Sequence, residues 1–291
     1  MLRHTFCHIK GIGPKSEKIL WSQGILNWND VICVDRSDSE IKNLGTLIKG
    51  VRESLDNLER RNPNYFTDSL HSNDVWRIFG QFRDSVAYLD IETNGIAGPG
   101  ELITTISMYD GVSVNYYIRD YNLRQFTEDV QKYKLLVTYN GKCFDLPVIQ
   151  KHLGVRFSQA HIDLRFVLSS LGYKGGLKGC EKMMGIDRGE LTDVNGYFAV
   201  LLWNEYQKRT NVKALETLLA YNVLDAVNLE YLMVRAYNEK LLETPFASDH
   251  KLPLPASVEN PFEPDPELID RLRKKYVLKF ENVPSLTTTQ S

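Results

Sequence analysis

The sequence predicts an α/β fold, a mixed sheet flanked by helices, with a small helical region ahead of it. Three observations predict it. Val86-Ala87-Tyr88-Leu89 is apolar throughout and runs into the alternating Asp90-Ile91-Glu92, as a buried strand does. Leu102 to Tyr109 and Val112 to Ile118 read as two more strands, joined at Asp110-Gly111, a hairpin signal. A helical stretch, Asn122 to Lys132, then leads to a short strand, Leu135 to Tyr139, and from there the pattern is mainly helical up to about residue 240. Strands followed by helices of this kind pack as a mixed sheet with helices laid on it.

Ahead of the sheet, Pro14 stands near the start of a short helix carrying Ile19, Leu20 and Trp21, and Gly11 and Gly13 allow a tight turn before it. Exposed amides at such a helix start can hold a phosphate. Gly11-Ile12-Gly13 resembles the hairpin of helix-hairpin-helix DNA-binding modules, and reads equally as a capping turn. Ile41 to Arg61 is a predicted helix ended by Asn62-Pro63, and Asn73 to Phe82 a shorter one. Behind the sheet, six of the eleven prolines lie between Pro245 and Pro266, which reads as an extended linker. Pro266 to Tyr276 is a further candidate helix, and Leu286 to Ser291 is expected to be disordered. The expected organisation is a helical region at 1–82 with a helix-hairpin-helix-like part at 6–34, a main domain at 83–242, and a proline-rich linker and tail at 243–291.

The 291 residues are 43% hydrophobic and 25% charged, enough to build a core, and the net charge of −2 excludes a global basic field for nucleic acid. A local basic groove around an acidic centre stays open. Cys7, Cys33, Cys143 and Cys180 are far apart and form no CxxC pair, which fits a reducing compartment. His4, Cys7 and His8 cluster in sequence but lack a fourth metal ligand, so a half-buried segment is the expectation. The N-terminus has no apolar core of signal-peptide length, and no run reaches the roughly 18 apolar residues of a membrane span. A cytoplasmic protein without a membrane partner is expected.

The chemistry lies in the acids. Asp90 and Glu92 are two apart on a strand and so project from one face. Asp145 follows the turn Asn140-Gly141 and stands beside Pro147 at a helix start, where a capping role is the ordinary alternative. Tyr221 and Asp225, four apart on a predicted helix, share a face among Leu218, Ala220, Val223 and Ala226. Taken singly, each acid has a plain structural explanation. Brought together, four carboxylates repel strongly, and a divalent cation relieves that repulsion. Ligands that offer only oxygen favour Mg²⁺ or Mn²⁺ over zinc. Two such ions about 3.5–4 Å apart would stabilise the attacking and leaving oxygens of a phosphodiester displacement.

Asp90-Ile91-Glu92-Thr93, Asn140…Phe144-Asp145-Leu146-Pro147 and Tyr221-Asn222-Val223-Leu224-Asp225 resemble the three exonuclease motifs of the ribonuclease H-like superfamily. Their order and spacing are similar to those of the DEDDy group, the DnaQ-like 3′–5′ exonucleases. Tyr221 stands four before Asp225, where that group has its tyrosine. Position 220, where the sister group has histidine, is alanine. Phe6 to about Val34, Trp76 to Phe79 and the run Leu177-Lys178…Glu181-Lys182…Gly185-Ile186…Arg188 are also similar to YprB-like bacterial members. The resemblance to the exonuclease group spans about residues 86–235. It implies a ribonuclease H-like fold, with Asp90, Glu92, Asp145 and Asp225 as ligands of two Mg²⁺ or Mn²⁺ ions. It also implies that Tyr221 orients or helps activate the attacking water.

The expected activity is removal of nucleotides from the 3′ end of DNA or RNA, releasing nucleoside 5′-monophosphates. The alternatives are an endonuclease of the same superfamily, acting on structured or hybrid nucleic acid, and a non-catalytic nucleic-acid-binding module. Thr93, Asn140, Phe144 and Lys142 are candidate substrate contacts. Tyr116-Tyr117-Ile118-Arg119-Asp120-Tyr121 and Lys132-Tyr133-Lys134 interleave basic and aromatic residues, which can track phosphates and stack on bases. An ordinary strand and a solvated helix end account for them as well. Lys142, Lys151, His152 and Arg156 lie near the second motif. Lys174, Lys178 and Lys182 are four apart, a basic stripe that reads first as a solvated helix face. Asp163 reads as a helix cap.

Overall fold

The structure is a computed structural model that describes residues 1–34 and 44–281, with side chains up to residue 275. The first residues of the helix predicted from Ile41, and the tail Leu286 to Ser291, fall outside the described residues.

The N-terminal region folds as α1 (Pro14–Ser22), α2 (Trp28–Cys33), α3 (Leu44–Glu59) and two one-turn helices, α4 (Asn64–Thr67) and α5 (Phe79–Phe82). Gly13 caps α1 and Pro14 opens it, as expected. Upstream of Gly11 there is a single 3₁₀ turn, Leu2–His4. The ring of His4 meets the Leu26 carbonyl at 2.8 Å, and His8 Nε2 meets Ser54 Oγ at 2.7 Å. His4 and His8 thus have separate partners, on different parts of the chain. All four cysteines are free. Buried Glu17 accepts from the amides of Phe6 and Cys7 and pairs with Arg77 at 2.7 Å, which ties the N-terminal strand of chain to the segment before the sheet.

The sheet has five strands: β1 (Val86–Thr93), β2 (Ile103–Tyr109), β3 (Val114–Ile118), β4 (Leu135–Thr138) and β5 (Ala160–Asp163), in the order β3-β2-β1-β4-β5. β1, β2 and β3 form an antiparallel meander, whereas β4 and β5 run parallel to β1. Four of these strands were legible in the sequence. β5 lies inside a stretch read as helical. It is four residues long, and only its ladder with β4 makes it a strand.

The remaining helices are α6 (Phe126–Asp129), α7 (Asp145–Leu153), α8 (Leu164–Ser170), α9 (Gly176–Met183), α10 (Gly196–Arg209), α11 (Val212–Leu241), α12 (Ala247–His250) and α13 (Pro266–Glu281). Alternation along β1 assigns its two faces. Ala87, Leu89 and Ile91 pack with Val148 and Ile149 of α7 and with Phe126 and Val130. Val86 and Tyr88 pack on the opposite face with Leu229, Leu232 and Met233 of α11, together with Phe6, Trp28 and Trp76 of the N-terminal region. Asp90 and Glu92 continue the phase of Val86 and Tyr88, so they project toward α11.

The proline-rich segment does not hang free. Asn260 donates to the Ala220 carbonyl and the Asp265 amide to Thr217 Oγ1, which lays the segment along α11. Leu268, Ile269 and Leu272 of α13 then complete a cluster with Phe198 and Leu202 of α10 and Leu218 of α11. No helix among the described residues is long and apolar enough to cross a membrane.

Candidate metal centre

β1 ends in a register shift between Glu92 and Thr93, a place where sheets re-aim side chains. There Asp90 and Glu92 meet Asp225, which α11 brings over the sheet. Ligand oxygens of these three residues lie within 4.8 Å of one another, the one such acidic, His or Cys group among the described residues. They open into a cavity of about 390 Å³ lined also by Thr93, Asn140, Phe144, Asp145 and Tyr221.

Asp145 comes from a different device. Asn140 adopts a left-handed φ of 64°, and its amide and that of Lys142 donate to the two carboxylate oxygens of Asp163, at 2.7 and 3.1 Å. Gly141 follows, where a Cβ would lie 2.2 Å from Thr138 Oγ1, so the turn tolerates only glycine there. This pinned turn delivers Asp145 as the first residue of α7, buried in the cavity but outside the 4.8 Å group. Phe144, not Asp145, occupies the capping position. Asp163 caps α8 through the Arg165 amide, as expected, and holds the turn as well.

Electrostatics set the character of the site. Burial, and then the neighbouring carboxylates, push Asp90 and Glu92 well above the usual carboxylate range. Burial also raises Asp145, to about 7, and raises Asp225 against the opposing pull of Arg188. A set of buried acids that resists ionisation, with oxygen as its only donor atom, fits a hard divalent cation. The residues present thus suit Mg²⁺ or Mn²⁺. The phenol of Tyr221 is pushed far up by burial and by Asp225, Glu92 and Asp90, so it keeps its proton.

Asn222 lies in the third motif and Glu181 and Arg188 in the run from Leu177 to Arg188, but sequence reasoning assigned none of them a role at the site. Asn222 donates to Asp90 Oδ2 at 2.6 Å and accepts from Ser107 at 2.8 Å, fixing the first acid from α11. Arg188 pairs with Asp225 and, at 2.5 Å, with Glu181, which Asn228 holds at 2.8 Å. Its guanidinium lies 5.3 Å from the centre of the Tyr221 ring. An asparagine inside an otherwise apolar helical stretch was the available signal for Asn222. Arg188 sits in a loop, where no periodicity marks it.

The lysine stripe is corrected. Lys174 precedes α9 and Lys182 is exposed, while Lys178 is half-buried, with its ammonium 5.0 Å from the Tyr221 ring centre. Lys142 does not line the acidic cavity; it lines a separate one beside His161 and Asp163. The side chain of Asn140 is taken up by Arg165 at 2.7 Å, although the residue lines the acidic cavity. Of the interleaved aromatics, Tyr117 is a core residue donating to Asp129, and Tyr116 packs edge-on against Phe262.

Comparison with known proteins adds to this geometry. No curated protein shows significant sequence similarity to the chain. Among solved structures, the family B DNA polymerase of the hyperthermophilic archaeon Pyrobaculum calidifontis aligns at 19% identity and a TM-score of 0.39. That alignment covers 54% of this chain and 24% of the polymerase chain, so the two share about a quarter of the polymerase's length. A family model described as the RNase_H superfamily matches residues 87–237, from the second residue of β1 into the last turns of α11. Strand order, the acidic cluster at the end of β1 and this match over more than half of the 291 residues agree, and the chain belongs to the RNase H superfamily.

Proposed function

We propose that the protein is a metal-dependent 3′–5′ exonuclease acting on DNA or RNA. Superfamily membership supports a nuclease in the broad sense. The observation that carries the narrower reading is the meeting of Asp90, Glu92 and Asp225 within 4.8 Å, with Tyr221 and Asp145 lining the same cavity. Asp90, Glu92, Asp225 and Asp145 would hold two Mg²⁺ or Mn²⁺ ions. Such ions, when bound, neutralise charge on the attacking and leaving oxygens of an in-line displacement. Tyr221, protonated and rigidly packed, donates a hydrogen bond that orients a water or a phosphate oxygen. Phe144, 40% exposed at the cavity, offers an apolar face to the terminal base. Asn222 and Arg188 keep two of the carboxylates in place.

The test is a gel assay with 5′-labelled single-stranded DNA and RNA in Mn²⁺, Mg²⁺ or EDTA, with Asp225→Asn alongside. A metal-dependent ladder shortening from the 3′ end, lost in the variant, is expected. Discrete internal cuts would replace this reading with an endonuclease. Binding without cleavage of single-stranded, duplex or hybrid substrates would replace it with a non-catalytic module.

A further inference from the structure

A second cavity, of about 340 Å³, lies between α10 and α13. It borders the acidic one, because Tyr197 lines both. Tyr197 is 51% exposed at the first turn of α10. Leu201, Asn204 and Lys208 follow it at spacings of four, three and four, so they form one stripe down the helix. Lys275 faces this stripe from α13, and Arg209 closes its far end. Among the described residues the one acid in the lining, Glu205, is buried and already paired with Arg209 at 3.3 Å and with Arg271 at 2.9 Å. Among the described residues, three cations stand against one shared carboxylate in this lining, an excess of positive charge on a chain whose net charge is −2.

From this we infer that the α10–α13 groove is a binding track for single-stranded nucleic acid, which carries the strand away from the acidic cavity. The inference rests on the nuclease reading and adds the path of the substrate. Lys208 and Lys275 contact backbone phosphates, and Tyr197 offers a stacking face where the strand leaves the cavity. Sequence-tolerant strand binding elsewhere combines these two elements, a basic groove and exposed aromatics. Tyr197 and Lys208 are eleven residues apart, about 16 Å along a helix, which spans roughly three to five nucleotides. Docking of α13 through Leu268, Ile269 and Leu272 builds the second wall. The C-terminal segment thus takes part in substrate binding.

Two arms test this separately from the nuclease reading. Binding of labelled twelve-nucleotide DNA and RNA is measured by fluorescence anisotropy across a salt series. The protein carries Asp90→Asn to prevent turnover, with and without Lys208→Ala/Lys275→Ala. The double change should weaken binding about tenfold or more and reduce the slope of log K against log[salt] by roughly 1.4, at about 0.7 per lost phosphate contact. Tyr197→Ala should weaken binding at least about fivefold and leave the slope in place. Cleavage by the otherwise intact enzyme is measured on strands of two to twelve nucleotides. Loss of the two lysines should cost about tenfold more on the twelve-mer than on the dinucleotide. Unchanged affinity and slope in the double variant would overturn the track, whatever the cleavage arm gives. Unaltered melting temperature serves as the folding control, because both lysines are exposed. Failure of the intact enzyme to cleave any strand would overturn the nuclease reading and leave the binding arm to decide the groove.

Discussion

Arg188 and Asp225 form an ion pair inside the protein, with side chains 5% and 6% exposed, and Glu181 holds the other arm of the guanidinium. A fixed cation therefore rests on the carboxylate that α11 brings to the centre. The arrangement orients Asp225 and opposes, without cancelling, the burial that raises its pKa. Removing one partner of such a pair strands the others. Arg188→Met should cost about 3–5 kcal/mol, read from denaturant unfolding. Arg188→Lys should recover only part, since one ammonium cannot reach both carboxylates in the fork geometry. Equal stability of the native protein and Arg188→Met would refute the clamp.

Asn222 holds Asp90 from one side and Ser107 from the other while fully buried. Asn222→Ala leaves the Ser107 hydroxyl and an Asp90 oxygen without a donor or acceptor, at a cost of about 1–3 kcal/mol. Loss of a residue that orients a metal ligand commonly weakens metal binding by about 10–100-fold. Titration calorimetry with Mn²⁺ should find a loss in that range for Asn222→Ala. Native affinity in the variant would show that Asp90 is held without it.

The acids make metal binding and stability depend on pH in a defined direction. Burial raises Asp145 to about 7 in the folded protein, against about 3.9 in an unfolded chain. A raised folded pKa gives stability that is fully present below the unfolded value and is lost as pH rises through the folded one. In EDTA the difference in unfolding free energy between the native protein and Asp145→Asn should therefore fall between about pH 4 and 7. A divalent cation reverses this, because it binds the ionised form. At about 100 times its dissociation constant Mn²⁺ should add roughly 2.7 kcal/mol, a shift on the order of 2–4 °C per kcal/mol, and more at pH 8 than at pH 6. An equal shift in Asp90→Asn would place the ion elsewhere.

His8 pulls the other way. It is buried against Trp28 and Phe66, and burial lowers its pKa to about 3. A histidine kept neutral in the fold contributes stability above about pH 6.5 that is lost as pH falls toward 3, at about 1.4 kcal/mol per unit. The difference in unfolding free energy between the native protein and His8→Gln should shrink steadily across that window. A difference that stays constant with pH would mean that His8 titrates normally.

The sequence by itself determined the order of the first four strands, the shared face of Asp90 and Glu92, and the helical spacing of Tyr221 and Asp225. These are periodic properties, legible because a strand repeats every two residues and a helix about every 3.6. It also identified the turn that delivers Asp145, through Gly141 and Pro147. Tertiary structure decided the rest. β5 exists because β4 offers it a ladder, and Lys142, whose amide donates to Asp163, lines a cavity other than the acidic one. Asn222, Arg188 and Glu181 become parts of the centre only when α9 and the loop after it meet α11 over the end of β1. The proline-rich segment is laid on α11, and α13 on α10, by contacts more than forty residues apart in sequence. Local periodicity cannot encode such pairings, because they depend on where two distant surfaces come to rest against one another.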